Sequence, residues 1–297
     1  MRPLLTARLN VSHPEKIQTI AIVGVGLIGG SFALALREAG FSGEIVGVSS
    51  PPAIQVGIDY GAISRGVSLE EAASIADLIY LAQPVDRILE TIEVLGRIAT
   101  RNCLITDGGS TKSVIVKKAS EHLRSAAFLG GHPMAGKELR GMEAADAQLF
   151  RGRTYILCPP ATTVSSFEAD FRFWLMRIGA VVLEMPADEH DATVAFTSHL
   201  PQLLSTALAD TLAKSNNPHL QSVFGGGLID MTRLALSSPD LWESILETNQ
   251  PAVASALDEF IGTLAGIRQA IGSDDLREYF TRASAYSSEL RKVPNKS

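Results

Sequence analysis

The stretch that decides the fold is "TIAIVGVGLIGGSFALALREAG", Thr19–Gly40. It opens with a short apolar run, passes glycines at 24, 26 and 29, and continues with apolar residues at helical spacing. The run reads as a buried strand and the periodic part as a helix. Each glycine then has its own task. Gly24 permits a tight turn, Gly26 lets another group come close to the backbone, and Gly29 lets the helix lie tightly on the strand. The free N–H groups and the dipole at the helix start, around Leu27 and Ile28, favour a phosphate. Strand, G-x-G-x-x-G and helix in that order read as the dinucleotide-binding turn of a Rossmann-type sheet.

The same alternation continues along the chain. Apolar runs at Glu44–Val48, Leu78–Ala82, Cys103–Asp107, Ala126–Gly131 and Thr154–Cys158 are separated by helical patterns such as Ile28–Ala39, Val85–Ile98 and Ser113–Leu123. Strands that are nearly all apolar belong in a parallel sheet covered by helices on both faces. Pro159-Pro160 and the following "ATTVSS" read as a linker. The expected division is therefore an α/β Rossmann-type, doubly wound sheet domain over residues 1–158 and an all-α substrate and dimerisation domain over 159–297. Ala180–Met185 has strand character, but the rest of the second half is helical. Ala187–Lys214 reads as one long helix interrupted at Pro201. Val253, Leu257, Phe260, Leu264, Ile267 and Ile271 form an apolar stripe that needs a neighbouring helix or a second subunit.

A net charge of −6 argues against a nucleic-acid binder, which carries a basic face. No window reaches the ~18 consecutive apolar residues of a membrane span. The first residues, "MRPLLTARLNVSHPEK", lack the apolar core of a signal peptide, so a cytoplasmic location is expected. Cys103 and Cys158 lie in apolar runs and read as buried thiols.

The end of the second strand bears on the choice of dinucleotide. NAD sites place an acidic residue there for the ribose hydroxyls, whereas this chain has Ser49 and Ser50. Serine hydroxyls can bond a 2′-phosphate without repelling it, which tips the reading to NADP over NAD. No arginine follows directly; Arg65 is the candidate that could approach from a neighbouring loop. Gln83 and Pro84, just after the run Leu78–Ala82, complete the expected cofactor contacts.

The chemistry is expected at the carboxyl edge of the sheet, where doubly wound folds bind ligands. "TDGGSTKSVIVKKA" (Thr106–Ala119) offers Ser110 and Lys112 there. Ser110 is either a substrate contact or the cap of the next helix, and Lys112 either a substrate contact or a solvated cation. "GGHPMAGKELRG" (Gly130–Gly141) puts His132 beside glycines that would let a ligand approach, with a proline fixing the backbone. His132 is the candidate base. In "DEHDATVAFTSHLPQ" (Asp188–Gln202), His199 is either a cavity residue or a core histidine, while Glu189 and His190 read as solvent-facing or interfacial. The histidines of this helix lack metal-ligand spacing with a third partner, so no metal is expected. In "GGGLIDMTRLALSSPDLWESILETNQ" (Gly225–Gln250), the glycines suggest a close backbone approach. Arg233 there is either a carboxylate clamp or half of a helix-surface pair with Asp230.

Five strings in order, "GVGLIGGS", "DGGSTK", "GGHPMAGKE", "DEHDATVAFTSHLP" and "DMTR…SSPDLW", resemble the prephenate and arogenate dehydrogenases of tyrosine biosynthesis. The resemblance implies a Rossmann domain, a helical domain that forms a homodimer, and a small-molecule site between them. It assigns His132 as the base that takes the proton of the ring hydroxyl and Ser110 as its hydrogen-bonding companion. Arg233 becomes the partner of a substrate carboxylate, with His199 and Glu138 near the substrate's other end. Hydride transfer to NAD(P)+ and loss of CO2 would then aromatise the ring. A neutral His132 with a pKa near its ordinary value is expected. Lys137 and Gln202 depart from the family pattern near the pocket. Neither a preceding mutase segment nor a following regulatory domain is expected. Two other readings remain at this stage. A β-hydroxyacid dehydrogenase would use a catalytic lysine on the long helix, where only Lys214 is found, near its far end. A non-catalytic NADP-binding sensor would bind cofactor without needing His132.

Overall fold

A computed structural model describes residues 17–99, 101–137, 139–159 and 165–292. Apolar residues alternate across the first strand, β1 (Thr19–Val23). Ile20 and Ile22 enter one core, whereas Ala21 and Val23 enter another on the opposite face. A strand buried on both faces has to be central. It pairs in parallel with β2 (Glu44–Val48) on one side and β4 (Leu78–Leu81) on the other. The two-residue β3 (Arg65–Gly66), β5 (Leu104–Asp107), β6 (Ala127–Pro133), β7 (Thr154–Cys158) and β8 (Val181–Glu184) complete an eight-stranded sheet of order β3-β2-β1-β4-β5-β6-β7-β8. Only β7 runs against its neighbour β6, and β8 is parallel to β7. The order reverses between β1 and β4, which is the switch point where such sheets bind ligands.

Helices cover both faces. α1 (Leu27–Glu38) contributes Phe32 and Leu36 to one core, where Phe32 stacks on Tyr80 with ring centroids 4.3 Å apart. α4 (Val85–Ile98) and α5 (Ser113–His122) cover the other with Ile88, Ile92 and Ile115. α2 (Pro51–Asp59) and α3 (Leu69–Ile75) join the outer strands. α6 (Glu168–Arg177) inserts Phe171, Trp174 and Leu175 into the same core as α1. The sheet and its core thus continue past the expected division after residue 158, which cuts this layer between β7 and β8. Cys103 and Cys158 are buried, and burial pushes their thiols up to about 11 and about 12.

The second half is helical: α7 (Ala187–Val194), a π-turn (Ala195–His199), α8 (Leu200–Ala213), α9 (Gly226–Thr232), α10 (Pro239–Thr248), α11 (Gln250–Ala270) and α12 (Asp275–Lys292). The expected break at Pro201 differs in detail. The proline occupies the first turn of α8, where a missing N–H costs nothing, and the irregular backbone lies just before it. A cluster of Ala195, Val253 and Ala256 is this half's own small core, and Ile245 of α10 packs into the core under α4. Of the stripe on α11, Val253 is buried and Leu257 half-buried, but Leu264 and Ile271 are exposed. No helix among the described residues is long and apolar enough to cross a membrane.

Candidate active site

The glycine turn fits a dinucleotide on steric grounds. Gly24 has φ +97°, and a Cβ there would meet the Ala82 carbonyl oxygen at 2.7 Å. A Cβ on Gly29 would fall 2.2 Å from the Gly24 oxygen and 2.7 Å from Ile22 Cγ2, so the helix can approach β1 only with glycine. Gly26 is the opposite case: nothing stands within 4 Å of the position of its missing Cβ. It is the N-cap of α1, and no side chain caps that end. Open space over an uncapped helix start, at the sheet's switch point, is a cradle for a pyrophosphate. Leu27 and Ile28 lie at its edge, half-buried. Gln83, across the turn, accepts from Thr91 Oγ1 at 2.8 Å, and Pro84 precedes α4.

Ser49 and Ser50 are exposed at the end of β2, ahead of α2. Arg65 does not turn toward them. Its guanidinium pairs with Glu44 at 2.9 Å and Glu71 at 2.5 Å.

His132 is not in a loop after the strand, as its flanking glycines suggested, but in β6 itself. The antiparallel return of β7 extends the strand, with His132 opposite Ile156 and Pro133 opposite Tyr155. Gly130 and Gly131 likewise serve packing. A Cβ on Gly131 would lie 2.5 Å from the Asp107 carbonyl oxygen, and one on Gly130 3.2 Å from Val116. The neighbouring backbone excludes a side chain at Gly131, leaving no room for a ligand to exploit.

Beneath this strand lies a charged pair that the sequence reading left open as substrate contact or solvated cation. Lys112 is wholly buried, as is Asp107, and the two side chains are in contact. Lys112 Nζ also donates to the Gly131 carbonyl at 2.7 Å. Asp107 accepts from the backbone N–H of Gly109 at 2.8 Å and of Gly131 at 3.0 Å. Gly131 is therefore held at both its N–H and its C=O, one residue before His132.

His190 is also corrected. It is fully buried, not solvent-facing, because α7 turns it inward against β6. Its Nε2 lies 2.8 Å from His132 Nδ1, and its Nδ1 lies 2.8 Å from Asp191 Oδ1. The Asp191 carboxylate further accepts from the backbone N–H of Lys112 at 2.7 Å and of Ser113 at 2.8 Å. It thereby caps α5 from the helical half of the chain, so Ser110 does not serve as that cap. Burial alone would raise the Asp191 carboxyl, but the hydrogen bonds from His190, Ser113 and the Lys112 backbone hold it below the usual carboxylate range.

His132 is 9% exposed, and its Nε2 has no hydrogen-bond partner among the described residues. That nitrogen is the ring atom left for a substrate. Burial, then the neighbouring His190, Lys112 and His199, pulls its pKa well below 6.5, in place of the near-ordinary value expected. Ser110, half-buried beyond β5, shares the carboxyl edge with His132, since the parallel register pairs Thr106 with Leu129.

The remaining candidates are more dispersed. His199 is buried in the π-turn, 3.2 Å from Asn249 Nδ2 and edge-on to Trp242, and burial lowers its pKa to about 4. Gln202 is buried and donates to the Leu234 carbonyl at 2.8 Å. Arg233 is exposed where α9 gives way to a short 3-10 turn. Lys137 is bonded to Asp146 at 2.9 Å on the surface. Glu138 lies outside the described residues. The glycines at 225–227 face open space instead of a close backbone neighbour. Sequence reasoning missed Asp107, Asp191 and Asn249, whose side chain donates to the Asp191 carbonyl at 2.8 Å. The one available signal was the polar string Asp188–Asp191 inside an apolar helix pattern.

A dinucleotide cradle and a buried histidine whose Nε2 has no partner among the described residues, on one sheet edge, are the arrangement of a Rossmann-type NAD(P)-dependent dehydrogenase. Comparison with known proteins gives the family. Residues 32–184 match the nucleotide-binding domain of prephenate dehydrogenase and residues 186–283 its dimerization domain, so the chain belongs to the prephenate dehydrogenase family. It is 34% identical to the prephenate dehydrogenase of Bacillus subtilis, over 92% of this chain and 76% of that one. It is 32% identical to the cyclohexadienyl dehydrogenase of Zymomonas mobilis, over 88% and 92%. A prephenate dehydrogenase from A. aeolicus, solved with hydroxyphenyl propionate and NAD+, superposes with a TM-score of 0.86 at 33% identity, covering 92% of this chain and 98% of that one. The chain is an oxidoreductase that carries out oxidative decarboxylation with NAD(P)+. The hydroxyacid-dehydrogenase and sensor readings fall away.

The buried Lys112–Asp107 pair yields a stability prediction. Replacing Lys112 with methionine preserves bulk but leaves Asp107 without its cation, which costs about 3–5 kcal/mol when a buried pair is broken. Urea unfolding of the Lys112→Met protein measures this, and a loss under about 1 kcal/mol would show that the pair does not support the site.

Proposed function

We propose that the substrate is prephenate and that His132 is the general base, with its Nε2 taking the proton of the ring hydroxyl. The carrying observation is the Nε2, without a partner among the described residues, of a buried, two-sidedly held histidine on the carboxyl edge that also carries the glycine turn. Ser110 shares the hydrogen bond of that hydroxyl, and Arg233 pairs with a substrate carboxylate through its planar fork. His199 and Gln202 shape the pocket from beneath, one braced by Asn249 and the other holding the turn that follows Arg233. Lys137, paired with Asp146 on the surface, stands at the outer rim. A bound nicotinamide supplies the acceptor for the hydride leaving the ring carbon as CO2 departs. The protein's contribution is to bind and orient the ring and to remove one proton.

NADP+ is our preferred cofactor, with NAD+ also accepted. The absence of an acid at the end of β2 supports this, although Arg65 is engaged with Glu44 and Glu71, so Ser49, Ser50 and the start of α2 would meet a 2′-phosphate. The two units divide near Pro186, after the last strand.

The class test crosses prephenate and arogenate with NAD+ and NADP+ and follows reduced nicotinamide by absorbance. Turnover is expected with prephenate, and more of it with NADP+. Turnover only with arogenate would overturn the substrate assignment. His132→Asn should lose about 10²–10⁴-fold in kcat while still binding cofactor. Activity within a few-fold of wild type would remove His132 from the role.

The lowered pKa of His132 gives a pH prediction. The base must be neutral to accept a proton, and neutral imidazole persists above its pKa. Lowering that pKa moves the acidic limb of kcat/KM below pH 6.5. A limb at or above 6.5 contradicts the burial-based account.

The helical half is proposed to form a homodimer. Leu264, Ile271, Phe280 and Leu290 of α11 and α12 are exposed, with Ile271 at 68% and Phe280 at 71%, which is more apolar surface than one subunit covers. Sedimentation equilibrium should give twice the chain mass, and a monomer at micromolar concentration would contradict this.

A further inference from the structure

We propose that His190 is a positioning residue that holds His132 in the one tautomer able to act as a base, and that Asp191 balances the charge formed there. The inference rests on His132 being the base. It follows from counting donors and acceptors along the chain Asp191–His190–His132.

An ionised carboxylate only accepts hydrogen bonds, and Asp191 already takes two from backbone N–H groups. His190 Nδ1, 2.8 Å from Asp191 Oδ1, must therefore carry a hydrogen. In neutral His190 the other nitrogen, Nε2, then holds a lone pair. His132 Nδ1 lies 2.8 Å from that lone pair, so it must be the donor. With its proton fixed at Nδ1, neutral His132 presents a lone pair at Nε2, the nitrogen without a partner among the described residues. Reversing either histidine alone sets two hydrogens or two lone pairs against each other in a buried space, which is costly. The tautomer of a histidine is set by the bond its other nitrogen makes.

The same chain accommodates the proton once it is taken. The substrate O–H bond breaks and an N–H bond forms at His132 Nε2. The Nδ1 proton of His132 can then shift to His190 Nε2, which breaks one N–H bond and makes another. The positive charge moves beside the Asp191 carboxylate, and the three side chains together become neutral. The other charged or titratable groups near His132 are Lys112, Asp107 and His199; Lys112 and Asp107 are paired with each other and His199 carries no negative charge, so none offers this compensation. His190 is fully buried, so it acts through His132 and not on substrate.

The direct test is ¹⁵N NMR of the histidine-labelled wild-type enzyme, which distinguishes protonated from unprotonated ring nitrogens. Both His132 and His190 should be protonated at Nδ1 and bare at Nε2. A proton on Nε2 of neutral His132 overturns the proposal. Kinetics provide the second arm. His190→Phe keeps a ring but no acceptor, and should lower kcat by about 10²-fold or more while leaving cofactor affinity unchanged. His190→Gln can accept from His132 and donate to Asp191, and should recover about tenfold of that loss. Equal activity of the two variants, or His190→Phe within about threefold of wild type, overturns the proposal. That result together with an inactive His132→Asn leaves the base assignment standing, whereas an active His132→Asn removes it. Should His190→Phe fail to fold, the wild-type spectrum decides.

Discussion

The carboxylate of Asp191 belongs to α7, in the helical half, yet two of its hydrogen bonds go to the start of α5 in the sheet half. Helix starts leave N–H groups without partners, and α5 has no side-chain cap of its own. A negative charge there satisfies two donors and meets the positive end of the helix dipole, a combination worth about 0.5–2 kcal/mol for a cap. Ser113 Oγ donates to the Ala187 carbonyl at 3.1 Å, and Asn249 donates to the carbonyl of Asp191 itself. The two halves are thus fastened at the residue that also orients His190. Any relative movement of the halves would break the cap and misplace the imidazole chain together.

Lys112 and Asp107 brace His132 from the other side. Burying a charge pair gains little by itself, because desolvation offsets the attraction. Its value here is geometric. Asp107 takes the Gly131 N–H and Lys112 takes the Gly131 C=O, so the backbone entering His132 is fixed by two charged groups. The strand supplies direction and the ion pair supplies registration. A side chain placed this way loses little when a ligand binds, since the ordering has already been done in folding.

Some of this was legible in the sequence. The turn at Gly24, Gly26 and Gly29 could be read because its constraints are local: Gly24 and Gly29 answer to atoms within the same strand–turn–helix unit or the adjacent strand, and Gly26 leaves open the space over the helix start. The strands could be read from unbroken apolar runs. His132 stood out by its setting among glycines, although the reason for those glycines was different, since the partner backbone of β5 is distant in sequence. His190 and Lys112 could not be read. Residue type argues for solvent in both cases, and what reverses it is a partner 58 residues away for His190 and a closed pocket under β6 for Lys112. Periodicity tells which residues share a face, not what the face will meet. The π-turn escaped for a related reason: Pro201 marks that something changes, but a proline in the first turn of a helix is no break at all.

The helical half shows where a single chain stops being sufficient. Its own core is a handful of residues around Ala195, Val253 and Ala256, while Leu236 is 84% exposed and Met231 60% exposed. These two flank Arg233. The turn that carries Arg233 is tied to α8 by Gln202 donating to the Leu234 carbonyl and by Ala235 N–H donating to Ser205 Oγ at 3.0 Å. Side chains of that size left in water on a surface segment neither stabilise it nor restrict it, and covering them would do both. The proposed dimer would supply that cover. His132 is fixed from within one chain by charge and hydrogen bonding, whereas the apolar side chains flanking Arg233 would be covered by contact between chains. A mutation on the outer face of the helices would then loosen the segment around Arg233 while leaving His132, its hydrogen-bonded neighbours and the glycine turn as they are.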